Sequence, residues 1–162
     1  MINKHIFAFV FLLFPILIFG QCNYNTNRVY DVTVKQFEPS LVAYDENYQI
    51  GAALGKVKKD IILTILIRFN GNAKEIGSDL LVFTDGKEAV NLEYIDSQKD
   101  YMAGSEISLN KFKIKENQFQ HIKNQQLKTF RFKFANEEIN RTFQIEKNKT
   151  VISAQLKCFT SN

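Results

Sequence analysis

The chain has 162 residues, with 21 Lys and Arg against 17 Asp and Glu, 15 Phe, two Pro, two Cys and no Trp. That length fits one domain with a core of its own. Low Pro content and regular β-branched residues exclude a disordered or linker-rich chain.

Residues 1–20 have the three-part layout of a secretory leader: the charged start Met1-Ile-Asn-Lys-His5, an apolar run from Ile6 to Phe19, and the small residue Gly20. The run is short for a ~30 Å hydrocarbon core, and Pro15 interrupts it. The expectation is a signal peptide over 1–20, a single β-rich domain over 21–162, and no membrane span once the leader is cut. The expected location is periplasmic or extracellular. A retained anchor and a lipid on Cys22 are the alternatives; Gln21 stands where a lipoprotein signal has a small residue.

Arg28 to Gln36 alternates as a strand, Phe37 to Ser40 turns at Pro39, and Leu41 to Tyr44 is a short apolar run. Asp45-Glu-Asn47 turns the chain. Tyr48 to Leu54 reads as a strand or irregular edge, with Gly51 and Gly55 marking a bend. Lys59 to Phe69 is apolar on both faces and β-branched, the pattern of a strand inside a sheet.

Leu80 to Thr84, Asp85-Gly86 and Glu88 to Tyr94 read as a tight type I′ hairpin. Ile95 to Gly104 reads as a polar loop and Glu106 to Ile114 as a strand. A short helix follows over Lys115 to Asn124, with Phe119 and Ile122 on one side. Leu127 to Phe134 alternates, Asn136-Glu137 offers a second tight turn, and Ile139 to Ile145 returns. Lys147 to Phe159 predicts a terminal helix with Ile152, Leu156 and Phe159 on its core face. The fold class is mostly β to α+β: an antiparallel sheet or sandwich with a short helix near 115–124 and a C-terminal helix.

Cys22 and Cys158 could pair in an oxidising compartment, closing a loop worth ~4–5 kcal/mol in the chain-entropy model. Charge is uneven. Cys22 to Asn110 carries nine basic and 13 acidic residues, and Lys111 to Asn162 carries 11 and four. The basic C-terminal third offers a face to an anion, or simply a solvated strand surface. Nothing joins aromatic and basic residues in an RNA-binding signature, so nucleic acid is no expected partner.

His121 is the single histidine after residue 20, and a Ser-His-acid site would need it as base. No Gly-x-Ser-x-Gly elbow accompanies it. Zinc ligation lacks a ligand set, and no Cys-x-x-Cys or His-Glu-x-x-His occurs. Glu93 and Asp96 to Asp100 are the nearest calcium candidate, without the central glycine of such a loop. Asp85 and Glu88 read as turn and strand-exit residues, and Gly51 to Lys56 lacks the spacing of a phosphate loop. Tyr24, Tyr30, Tyr44, Tyr48, Tyr94 and Tyr101 suit either strands or a binding surface.

Ile61 to Ile67, Phe83-Thr84-Asp85-Gly86, Ser105 to Ile114, Lys115 to Asn124, Leu127 to Phe134 and Gln155-Leu156-Lys157-Cys158 occur in order. In this order the chain resembles small exported proteins of the Bacteroidetes type, whose leaders often end in Gly-Gln, as Gly20-Gln21 does here. The resemblance implies a fold and a location, and no activity, cofactor or catalytic residue. The functional expectation is a non-catalytic envelope module binding an envelope protein or glycan. An inhibitor or immunity-like protein with a protruding acidic loop at Asp96 to Asp100 comes second. A small hydrolase using His121 comes third.

Overall fold

A computed structural model describes residues 22–86 and 88–161. The expected leader, residues 1–20, lies outside the described residues. Ten strands follow: β1 Asn25–Val29, β2 Val32–Gln36, β3 Ser40–Tyr44, β4 Tyr48–Val57, β5 Asp60–Phe69, β6 Leu80–Thr84, β7 Val90–Met102, β8 Ser105–Ile114, β9 Leu127–Phe132 and β10 Arg141–Gln144. A 3-10 turn at Glu116–Gln118 leads into α1, Phe119–Ile122, and the chain ends in α2, Val151–Thr160. The mostly-β class and both helices are as the sequence predicts.

All pairings are antiparallel, in the order β1-β2-β4-β5-β8-β7-β6-β9-β10, with β3 also on β4. The sheet bends at β7, whose first residues pair with β6 and the rest with β8. It then curls back on itself. The N–H groups of Glu146 and Lys147, just past β10, donate to Val42 O of β3 (2.9 and 3.1 Å), and Asn148 Nδ2 donates to Leu41 O (2.8 Å). The result is a flattened, barrel-like sandwich with a filled interior.

Register explains the filling. Ile50, Ala52 and Leu54 of β4 lie opposite Ile67, Ile65 and Leu63 of β5, and Leu63 lies opposite Phe112 of β8. Against them pack Leu80, Val82, Leu92, Phe130, Phe132 and Phe143 of the other layer, all buried. Each side chain of this kind contributes ~1.5–3 kcal/mol by leaving water. Phe132 and Phe143 stack with ring centres 4.6 Å apart.

One end of the sandwich is sealed by helices. Ile152, Leu156 and Phe159 of α2 are buried there with Ile122 of α1. Gln155 Oε1 accepts the buried Leu54 N–H (2.7 Å), joining α2 to β4. The disulfide Cys22–Cys158 adds a covalent tie, with Sγ atoms 2.03 Å and Cα atoms 5.6 Å apart.

Five local expectations need correction. Arg28 to Gln36 is two strands, β1 ending and β2 beginning around a turn at Tyr30-Asp31, with Tyr30 at φ 53°. Alternation alone does not reveal a two-residue reversal. Gly51 and Gly55 lie inside β4, the second strand of the core. A Cβ on Gly51 would stand 3.1 Å from Pro39 Cβ, so the glycine admits the chain crossing beside it.

Ile95 to Met102 is no loop but the second half of β7. Both faces of that half-strand carry polar residues near the rim, so it lacks a hydrophobic period. The type I′ turn is also elsewhere. Val82 pairs with Val90, leaving a longer connection around Asp85-Gly86. The two-residue turn with positive φ at both positions is Ala103 (48°) and Gly104 (76°), between β7 and β8. Asp85 instead holds Gln126, its carboxylate accepting Gln126 N–H (2.8 Å) while its own N–H donates to Gln126 O (3.0 Å). Finally, the β9–β10 connection spans 133–140 rather than a tight Asn136-Glu137 turn, and Ile139 is exposed.

Candidate functional site

The end opposite α2 is open. Here β3 turns into β4, β5 leaves the sheet, β7 turns into β8, and β9 turns into β10. A cleft of about 620 Å3 lies among these connections. Tyr48, Phe69, Phe134 and Phe143 form its aromatic wall, and Asp45, Asn47, Asn70, Asn72, Lys74, Arg141 and Thr142 lie around it. A second hollow of about 300 Å3 shares Asp45, Tyr48, Phe69 and Asn70 and extends to Gln49, Arg68 and Ser105. The two form one groove across the mouth.

The aromatic wall is fixed by packing. Tyr48 meets Phe143 edge-on at 5.0 Å, and Phe69 meets Phe134 at 5.9 Å. Both pairs cross from one layer to the other, so the wall exists only in the folded sandwich. Phe134 and Phe143 are nearly buried, while Tyr48 and Phe69 are half-buried.

The polar groups have distinct duties. Asp45 Oδ1 accepts the N–H groups of Asn47 (2.6 Å) and Tyr48 (3.0 Å), shaping the β3–β4 turn. Burial and then the Asp45 carboxylate push the Tyr48 phenol up to about 12 from 10.0, which keeps the hydroxyl protonated further into the alkaline range. Glu137 Oε2 accepts from Arg141 Nε (2.6 Å), and its Oε1 accepts from Arg141 Nη2 (3.0 Å) and Lys74 Nζ (2.9 Å). Those bonds hold the Glu137 carboxyl below the ordinary range and raise Arg141. Both cations also stand near the Phe134 ring, at 5.7 and 5.9 Å. The side chains of Asn47 and Asn72 make no hydrogen bond among the described residues.

Behind the mouth sits a buried polar hub. Asn110 Oδ1 accepts Ile76 N–H (2.9 Å) and Ser97 Oγ–H (2.6 Å), while Asn110 Nδ2 donates to Ile65 O (3.2 Å) and Ser108 Oγ (3.0 Å). Every bonding position of this amide is used, which marks it as structural: it pins the segment before β6 to β5, β7 and β8. The Tyr94 phenol, raised mainly by burial, packs on Phe112.

The residues singled out in the sequence fall elsewhere. His121 is half exposed on α1, with Glu88 Oε2 3.9 Å from its Nδ1. Glu93 and Asp96 lie on β7 and face Lys115 (3.1 Å) and Lys111 (3.4 Å). Asp96 to Asp100, being strand, gives no protruding acidic loop. Among the described residues no group of three His, Cys, Asp or Glu converges on one point. Of the tyrosines, Tyr44, Tyr48 and Tyr101 come to the mouth end, and Tyr30 is at the tip of the β1–β2 hairpin. Phe69, Asn72, Lys74, Phe134, Glu137 and Arg141 carry no motif. Only the Glu137–Arg141 spacing of four hints at an ion pair, and it forms outside any helix.

No protein-family model, no curated protein and no solved structure matches the chain significantly. Among the described residues no helix is long and apolar enough to cross a membrane.

Proposed function

We propose that the chain is an exported, non-catalytic binding module of the cell envelope, and that its ligand is a glycan held in the mouth groove. The observation that carries this reading is the pair of half-exposed rings Tyr48 and Phe69, held in place by buried Phe143 and Phe134, beside the unpartnered amides of Asn47 and Asn72. Sugar rings present C–H faces to aromatic rings and hydroxyls to amides, carboxylates and guanidinium groups. A groove of two joined hollows suits more than one sugar residue. The Cys22–Cys158 disulfide supports the exported location.

A glycan array probed with the full folded domain tests the ligand class. Binding to a family of oligosaccharides is expected, weakened at least about tenfold by the paired variant Asn47→Ala, Asn72→Ala. Those side chains are exposed and hold nothing together, so the variant keeps the wild-type melting temperature. A glycan bound equally by both proteins would place its site elsewhere.

One observation favours a second reading, an envelope protein seated on the same end. Tyr101 (68% exposed), Met102 (50%) and Ile139 (77%) offer large apolar side chains at the end of β7 and on the β9–β10 connection. A partner lost with Tyr101→Ser and Ile139→Ser, but retained with the asparagine pair, distinguishes this reading.

A further inference from the structure

We propose that the sealed end carries a second, independent site: a cleft that binds an acidic polysaccharide through clustered lysines. A hollow of about 560 Å3 lies between the β4–β5 turn, the end of β8, the 3-10 turn and the C-terminus of α2. Five lysines line it, Lys56, Lys58, Lys59, Lys113 and Lys115, against two acids, Asp60 and Glu116. Three of the five are engaged. Lys56 Nζ donates to Phe159 O at the end of α2 (3.0 Å), Lys113 pairs with Asp60 (3.0 Å), and Lys115 pairs with Glu93 (3.1 Å). Lys58 and Lys59, both exposed, have no acidic partner among the described residues.

The turn supplies a second, separate observation. Lys58 adopts φ 55°, a left-handed conformation that glycine or asparagine accepts at lower cost. Both residues of this two-residue turn line the cleft, so the turn places two adjacent ammonium groups there.

Shape and chemistry point to a polysaccharide. The lysines come from β4, the β4–β5 turn and the end of β8 and line one hollow, which suits a chain lying in it rather than a flat bilayer. Phe119, partly exposed, also lines the cleft and gives a sugar ring an apolar surface. Lysine heads act as point charges without the planar demands of guanidinium, so sulfate, phosphate or carboxylate substituents are all accepted. Lys113 and Lys115, at the end of β8 and just past it, bring two bases from the C-terminal third beside the three of β4 and its turn.

Dextran sulfate and neutral dextran serve as probes. The full domain is expected to bind dextran sulfate and not neutral dextran, with log affinity falling linearly against log salt, as counterion release requires. Lys58→Glu with Lys59→Glu is expected to weaken binding at least about tenfold. Lys99→Glu with Lys128→Glu makes the same change in net charge on other strands and is expected to cost less than about threefold. Equal losses in the two double variants overturn the site, because net charge alone would explain the binding. Failure to bind dextran sulfate at about 50 mM salt also overturns it. Phosphatidylglycerol vesicles bound more tightly than dextran sulfate, with the same Lys58 and Lys59 dependence, overturn the polysaccharide assignment in favour of a membrane surface. Melting curves of both double variants confirm that each is folded.

Discussion

Lys74 and Glu137 are 63 residues apart and join across the mouth, Lys74 Nζ 2.9 Å from Glu137 Oε1. Arg141 completes the cluster from β10. The segment after β5 and the β9–β10 connection are therefore held together at the groove by one carboxylate with two cations. The Glu137 side chain is only 21% exposed, while both cations are about half exposed. The carboxylate is the member whose removal leaves charges facing one another.

Glu137→Gln should cost about 1 kcal/mol at neutral pH, the scale of charge-assisted bonds reduced by solvent screening. The sign of the pH dependence follows from its depressed folded pKa. Its stabilisation is present above the ordinary glutamate value of 4.5 and is lost as pH falls through the lower folded value. Urea melts from pH 7 downward should show wild type and Glu137→Gln converging in that acid window.

Tyr48 gives the opposite limb. Its folded pKa is raised, so its neutral form is favoured by folding, and stability is lost as pH rises from 10.0 towards about 12. Wild type should lose about 2 kcal/mol more than Tyr48→Phe across that window. Paired denaturation curves at alkaline pH measure the difference directly, because every other titrating group is common to both proteins.

Asn110→Ala should be among the most destabilising single substitutions behind the mouth, at about 3 kcal/mol. It strands the buried Ile76 N–H and Ser97 hydroxyl, which now donate to Asn110 Oδ1. Asn110→Leu should rescue little, since the orphaned groups remain. Equilibrium unfolding measures both, and amide exchange at Ile76 should quicken in each.

Cys22→Ser with Cys158→Ser should lower stability by about 4 kcal/mol, because the bond closes a separation of 136 residues. The loss should concentrate at the sealed end. Calorimetry with and without reductant on wild type should reproduce the difference, and the double variant should not respond to reductant.

Legibility from sequence followed hydrophobic period. Ile61 to Ile67 and Leu127 to Phe134 announced their strands because buried side chains recur along them. Ile152, Leu156 and Phe159 likewise announced the face of α2 that is buried. Ser97, Gln98, Lys99 and Asp100 read as loop because near the rim neither strand face is apolar; backbone pairing with Ile107 to Asn110 makes them strand. The mouth was illegible for a different reason. Asp45, Phe69, Lys74, Phe134 and Arg141 lie in or beside three connections, each chemically ordinary, and only the curl of the sheet assembles them. His121 and the Asp85-Gly86 pair drew attention by type or spacing, yet lie away from the groove.

The most direct test of mouth binding is NMR of the full domain carrying labelled Phe and Tyr, titrated with an oligosaccharide selected on the array. The binding reading predicts that the ring signals of Tyr48, Phe69, Phe134 and Phe143 shift together and saturate, while the core rings Phe112 and Phe130 stay in place. Saturable binding that leaves the four mouth rings unmoved would contradict it.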